Sequence, residues 1–323
     1  MCKNTDLFSN LKINFNKIQK SIYQISRNLY ICTRLANLQS GGKIFNINIL
    51  KFRKKMEDLN AVVQQVVQVS PIMKVFRIAP LGWELPDFKP GQFVAIGLPP
   101  TAEKCSDATE EPVEPDQEKL IKRAYSIASS NLSKDYVEFY ITLVHSGALT
   151  TRLFNLQIGD KIWMGNKFVG MFTLDQIAED QNIVLIGTGT GVAPYMSMLR
   201  TDALHRKGNI VVIHGAANSW DLGYSSELNL LQVLSPKFKY IPTITMPQRE
   251  YVPWPGRTQF IQEIWEEGAI ERLWGFKPTA ENTHVFLCGN PNMVNGMVEC
   301  LEKESFKEHT RKEVGQIHVE RFN

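Results

Sequence analysis

The feature that most limits how this 323-residue chain can fold is a change of rhythm near residue 180. Upstream, short apolar stretches follow one another with tight turns between them: 61–69 and 73–80 about Ser70-Pro71, 92–97 after Pro90-Gly91, then 123–128, 136–144 and 161–164. Val- and Ile-rich runs at that spacing predict about six strands of an antiparallel barrel. A single helix, over 150–156, is expected among them. Downstream, apolar strands alternate with helical stretches: 183–186 with 192–200, 210–214 with 225–234, 240–245 with 258–266, and 285–287 with 293–302. That is the pattern of a parallel sheet with crossover helices. The break falls at the polar Ala178-Glu179-Asp180-Gln181, which divides the chain into domains over 56–178 and 179–323. A chain of this size seldom builds one core, and a cleft between two is open to ligands.

Residues 1–55 stand apart. They hold eleven Lys and Arg against the single acid Asp6, so of the net charge of +3 this leader carries +10 and the remainder −7. Three readings stay open, in this order: upstream sequence with Met56 as the true start, a disordered basic arm, or an organellar presequence, the last being disfavoured by the excess of Lys over Arg. Mass spectrometry of the natively expressed protein separates them, since a mature terminus near Met1 excludes the first. Because the basic excess is confined to the leader, nucleic-acid binding is not expected. Nor is a membrane span, because no apolar run approaches the roughly eighteen residues it needs. The stretch 99–118 is acidic and proline-containing, and is expected as a mobile surface loop. The five cysteines (Cys2, Cys32, Cys105, Cys288, Cys300) include no CxxC pair, which argues against a disulfide framework, a structural zinc or an iron–sulfur cluster.

Four segments carry chemistry. In Arg123-Ala124-Tyr125-Ser126 the strand period puts Arg123 and Tyr125 on one face, with the Ser126 hydroxyl and backbone next in line. A flat apolar ring, a cation and a hydrogen-bonding group together suit a flavin nucleotide, although four residues alone describe any half-buried strand. Ser146-Gly147-Ala148-Leu149-Thr150-Thr151 ends a strand and opens the barrel helix with a capping hydroxyl, which is either a plain N-cap or a seat for an anion. Gly187-Thr188-Gly189-Thr190-Gly191-Val192-Ala193-Pro194 is a glycine-rich turn from strand to helix, suited to a dinucleotide pyrophosphate or to close packing of helix on strand. Cys288-Gly289-Asn290-Pro291 ends the last strong strand, where a lone cysteine ordinarily serves as a small buried apolar residue.

In this order the segments resemble the ferredoxin–NADP reductase family, over residues 60–323 and most closely its bacterial branch. The resemblance implies an FAD-binding antiparallel β-barrel followed by an α/β parallel-sheet domain that binds NADP(H). It implies Tyr125 on the flavin, Arg123 on its phosphates, Ser126 near N5, and Gly147 with Thr150 or Thr151 at the FAD pyrophosphate. Gly187, Thr188, Gly189, Gly191 and Gly289 are implied at the nicotinamide nucleotide, with Thr188 lining the hydride-transfer site. Cys288 is implied beside nicotinamide C4, where it sets an approach of roughly 3 to 3.5 Å between cofactor atoms. Phe322, almost at the C-terminus, is implied as an aromatic closing the exposed face of the flavin. Ser126, Thr188 and Cys288 would then be the residues at the reaction, in a monomeric cytoplasmic enzyme passing single electrons to ferredoxin or flavodoxin. Within enzymes the alternatives are the reductase component of an oxygenase or a free-flavin reductase. In another class stands a non-catalytic nucleotide-sensing subunit. One departure concerns the adenosine 2′-phosphate: Ala217 and Met246 stand where basic residues are expected, and Arg257 or Arg249 is left to replace them. No acidic residue is evidently placed to grip a free ribose.

Overall fold

Val- and Ile-rich runs form β1 (Ala61–Ser70) and β2 (Met73–Pro80), an antiparallel pair that turns between Ser70 and Met73. In the computed structural model, which describes residues 59–321, this pair sits inside a six-stranded antiparallel sheet. The leader, Met56 and Phe322 lie outside the described residues. The other strands are β3 (Phe93–Leu98), β4 (Ile121–Ser126), β5 (Val137–Thr142) and β6 (Lys161–Met164), in the order β4-β3-β6-β1-β2-β5. The sheet curls until its two edges approach, with Tyr125 of β4 and Phe139 of β5 edge to face, ring centres 6.4 Å apart. Its interior is filled by Phe76, Ile78, Ile96, Leu98, Phe139 and Ile141. Each such side chain contributes about 1.5–3 kcal/mol through burial.

The barrel helix is shorter than expected, α1 (Thr150–Leu153), and its N-cap is Leu149, without a side-chain cap. The 99–118 stretch forms neither helix nor strand, yet it is moored. The Cys105 amide donates to Thr151 O and the Thr109 amide to His145 O, while Glu111 pairs with Lys104 and with the buried Arg152.

The second half forms a five-stranded parallel sheet in the order β11-β10-β7-β8-β9. Its strands are β7 (Asn182–Thr188), β8 (Ile210–Ala216), β9 (Phe238–Ile244), β10 (Thr283–Gly289) and β11 (Ile317–Arg321). Ile183–Ile186 and Ile210–Ile213 are buried throughout, as unbroken apolar runs are when helices cover both faces. The helices are α2 (Ala193–Leu199), α3 (Ser225–Leu234), α4 (Ile261–Glu266), α5 (Ala269–Trp274) and α6 (Pro291–Lys303). Neither α5 nor the strand character of β11 is expected from the sequence. From β7 the chain runs outward through β8 and β9, then returns to place β10 on the opposite side, so β7 and β10 flank the point where strand order reverses. Open α/β sheets bind ligands outside the carboxyl ends of the strands at such a point.

Barrel and sheet share one apolar cluster, in which Met73, Val75 and Tyr140 pack with Phe172, Val192, Tyr195 and Tyr240. A polar knot crosses the same seam. The carboxylate of Glu138, on β5, accepts from Arg77 at 2.7 Å, from Arg200 at 2.6 Å and from the Tyr224 hydroxyl at 2.8 Å. Arg200 forks back to Glu227 on α3. Burial pushes the Glu138 carboxyl up, but the charge of Arg200 and the hydrogen bonds from Arg200, Arg77 and Tyr224 outweigh it and hold the group below its ordinary value.

Candidate functional site

Where the β4 and β5 edges approach, they leave a cavity of about 620 Å³ lined by Arg123, Tyr125, Ser126, Tyr140, Thr142, Gly147, Thr150, Thr190 and Glu320. β4 brings the first three there in register against β3, with Tyr125 opposite Val94 and Arg123 opposite Ile96. Ser126 is buried and Arg123 exposed at the mouth. Gly147 lies at the wall, where an added Cβ would meet Thr150 Oγ1. The Thr150 hydroxyl does not reach outward: it donates to Val144 O at 3.0 Å and accepts from the Val144 amide at 3.2 Å. Thr151 is not in the cavity, because its fully buried side chain donates to Gly147 O at 2.8 Å. Both hydroxyls shape the turn rather than offer themselves to a ligand.

A second cavity, of about 970 Å³, lies over the carboxyl ends of the parallel strands and is lined by Thr188, Gly189, Thr190, Ala217, Thr245, Phe260, Gly289 and Asn290 among others. Thr142 and Thr190 border both cavities, their hydroxyls 3.3 Å apart. At the switch point the ends of β7 and β10 are tied together, since the Asn290 amide donates to Thr188 Oγ1 at 2.7 Å. Gly289 has φ +127°, and a Cβ there would run into that same hydroxyl, so only glycine lets the two strand ends meet. Gly187 and Gly191 stay beneath this surface: the first is packed by Val192 and Tyr195, the second lies against the Cys288 carbonyl. Gly189 is held by His214, whose Nε2 lies 3.1 Å from the Gly189 carbonyl and whose Nδ1 lies 3.3 Å from the Tyr240 hydroxyl. Burial lowers the His214 pKa to about 4, so at neutral pH the ring is uncharged, with Nε2–H the donor and Nδ1 the acceptor.

Cys288 lines neither cavity. Its thiol is fully buried, and burial, together with the nearby Glu320, raises its pKa well above the ordinary value, which keeps it a thiol and no nucleophile. What connects it to the first cavity is Glu320, near the end of β11. One carboxylate oxygen, Oε2, accepts from Ser126 Oγ at 2.8 Å and lies 3.7 Å from Cys288 Sγ. Burial raises the Glu320 pKa, and the donors Ser126 and Cys288 only partly offset it. Nothing in the sequence beside Glu320 marks it as a site residue, since terminal residues are ordinarily frayed. The apolar alternation of Ile317-His318-Val319 was the signal that a strand carries it inward. Arg257 is not brought to the second cavity: its guanidinium pairs with Glu267 and Gln259. Arg249 ends a short turn, Pro247–Arg249, in which no residue is buried.

Two family models match the chain, the oxidoreductase FAD-binding domain over residues 112–166 and the oxidoreductase NAD-binding domain over 185–299. The flavodoxin/ferredoxin–NADP reductase of Buchnera aphidicola is 34% identical over 206 residues, which is 63% of this chain and 81% of the relative. The enzyme of the same name from Escherichia coli is 32% identical over 211 residues, 64% of this chain and 76% of the relative. The chain belongs to the flavodoxin/ferredoxin–NADP reductase family. A crystal structure of a ferredoxin NADP+ reductase from Neisseria gonorrhoeae with bound FAD and NADP superposes with a TM-score of 0.67 at 25% identity, covering 81% of this chain and 97% of that one. The fold class follows as expected: an antiparallel FAD-binding barrel, then a parallel NAD(P)-binding sheet. Among the described residues no helix is long and apolar enough to cross a membrane.

Proposed function

We infer that this chain is a flavoprotein oxidoreductase that moves electrons between NADP(H) and ferredoxin or flavodoxin through FAD. We further infer a cytoplasmic monomer with a flavin domain over 56–178 and a nucleotide domain over 179–323. The observation that carries the reading is the meeting of two cavities at Thr142 and Thr190, with Glu320 reaching from the sheet to Ser126 of the barrel.

The residues present fit a flavin nucleotide in the first cavity and the nicotinamide end of a dinucleotide in the second. The first cavity offers an aromatic ring in Tyr125, a cation at the mouth in Arg123 and a glycine wall at Gly147. The second offers the Thr188 and Gly289 strand ends at the switch point. When bound, FAD supplies the exchange between a two-electron hydride and single electrons. The chain itself positions and protects. Tyr125 and Ser126 would hold the flavin ring, Arg123 its phosphates, and Thr188 with Gly289 the nicotinamide end. Glu320 fixes the Ser126 hydroxyl by accepting its hydrogen bond, and the bulk of the buried Cys288 backs the Glu320 carboxylate. No general base or covalent nucleophile is called for, since orientation at close approach supplies the rate.

Purified protein should be yellow, bleach when NADPH is added without oxygen, and then reduce ferredoxin or flavodoxin. A colourless preparation that added FAD does not change would overturn the reading and favour a nucleotide-sensing subunit.

A further inference from the structure

The groups around the second cavity bear on which nucleotide it takes, given the function proposed above. If the reactive end lies at Thr188 and Gly289, the adenosine half extends over the ends of β8 and β9, past Ala216, Ala217, Thr243 and Thr245. A 2′-phosphate in that stretch requires a cation or a nest of unengaged donors. Neither is built. Among the described residues, the charged ones lining the cavity are Asp221 and Glu263, and no Lys, Arg or His lines it. The donors nearby are already engaged: the Thr245 and Met246 amides bond to Ala216 O and Ala217 O, while both the amide and the hydroxyl of Ser219 bond to the carboxylate of Glu250.

One polar group is left over. Asp221 is 5% exposed and lines the cavity, and its Oδ1 is buried without a hydrogen-bond partner. Its backbone is fixed at the seam, where the Tyr140 hydroxyl donates to Asp221 O at 3.3 Å and accepts from the Gly223 amide at 3.2 Å. A buried carboxylate oxygen with no donor is costly, and a bound group carrying hydroxyls removes that cost. A ribose is such a group, and a phosphate dianion is its opposite, since it brings a like charge and no donor.

We propose that Asp221 accepts a hydrogen bond from the adenosine 2′-hydroxyl of the bound nucleotide and that this cavity takes NADH at least as readily as NADPH. Asp221 is a specificity residue of the binding step and takes no part in hydride transfer.

The test is kcat/KM for both nucleotides, followed by flavin bleaching and by reduction of ferricyanide. NADH is expected to equal or exceed NADPH, and a preference for NADPH overturns the proposal. Asp221→Ala should raise the KM for NADH about tenfold with kcat held, the mark of lost uniform binding, while losing nothing with NADPH. Equal losses with both nucleotides would mean that Asp221 only supports the seam. Should that variant fail to hold flavin, Ala217→Arg puts a cation on the cavity wall without touching Asp221. It should improve NADPH about tenfold and leave NADH alone, and no gain with NADPH overturns the proposal. Flavin that is bound but reduced by neither nucleotide strikes at the reductase reading itself, an outcome distinct from a wrong preference.

Discussion

Two carboxylates lie on the seam between barrel and sheet, and their surroundings give them opposite properties. Glu138 is met by two guanidinium groups and a phenol, so both of its buried oxygens find a charged or polar donor. Among the described residues Glu320 is offered one hydroxyl and one thiol, both on the same oxygen, and no cation. The first is therefore held below the ordinary carboxylate pKa and the second above it. What the pair teaches is that burial by itself decides little. A carboxylate with matched cations is a fastening, and one without them remains free to respond to what binds beside it.

The comparison can be broken most forcefully at Arg200. Arg200→Ala leaves Glu138 buried with its main counter-charge gone, and unfolding by urea should register a loss of about 3–5 kcal/mol. A loss under 1 kcal/mol would mean that the cluster is no fastening. Next in size, Glu320→Gln should slow flavin reduction by NADPH about tenfold or more, near 1.4 kcal/mol or above in barrier, with flavin content unchanged. Equal rates in stopped flow would remove Glu320 from the site.

A smaller effect is carried by pH. Since Glu138 titrates below its ordinary value of 4.5, the stability it contributes is complete above that pH and is lost only as pH falls through the lowered value. Glu320 behaves in reverse: its raised value favours the folded state below about 4.5, and that advantage is lost as pH rises through the raised value. Urea midpoints between pH 4 and 7 should therefore show a downward contribution that Glu320→Gln abolishes, and an identical profile in the variant would contradict the assignment. The smallest effect is expected from Cys288→Ser, which should slow hydride transfer a few-fold, about 1 kcal/mol or less, and weaken FAD binding less than that. An unchanged stopped-flow rate would show that the thiol's bulk is immaterial.

Much of this architecture could be read from residue order because it is written in short-range periodicity. Val- and Ile-rich runs about Ser70-Pro71 mark β1 and β2, unbroken apolar runs mark β7 and β8, and the helix expected over 225–234 is α3. Tyr125 and Ser126 stand at a cavity because a strand fixes the faces of its side chains once register is set. The rest depends on partners far along the chain. Ser126 and Glu320 are 194 residues apart, and nothing near either one announces the other. Asp221 is an ordinary turn residue until the barrel's Tyr140 clasps its backbone. Thr151 suits a helix cap, and it is the reversal at Gly147 that turns its hydroxyl inward. Short α5, framed by Gly268 and Gly275 in the left-handed region, has too few turns to leave a periodic signature.

The wall shared by the two cavities is two threonine hydroxyls wide, Thr142 from a barrel strand and Thr190 from the loop that follows β7. Ligands lodged on either side would be neighbours before anything moves, an arrangement that asks for no clamshell closing and no swing of one half of the molecule over the other.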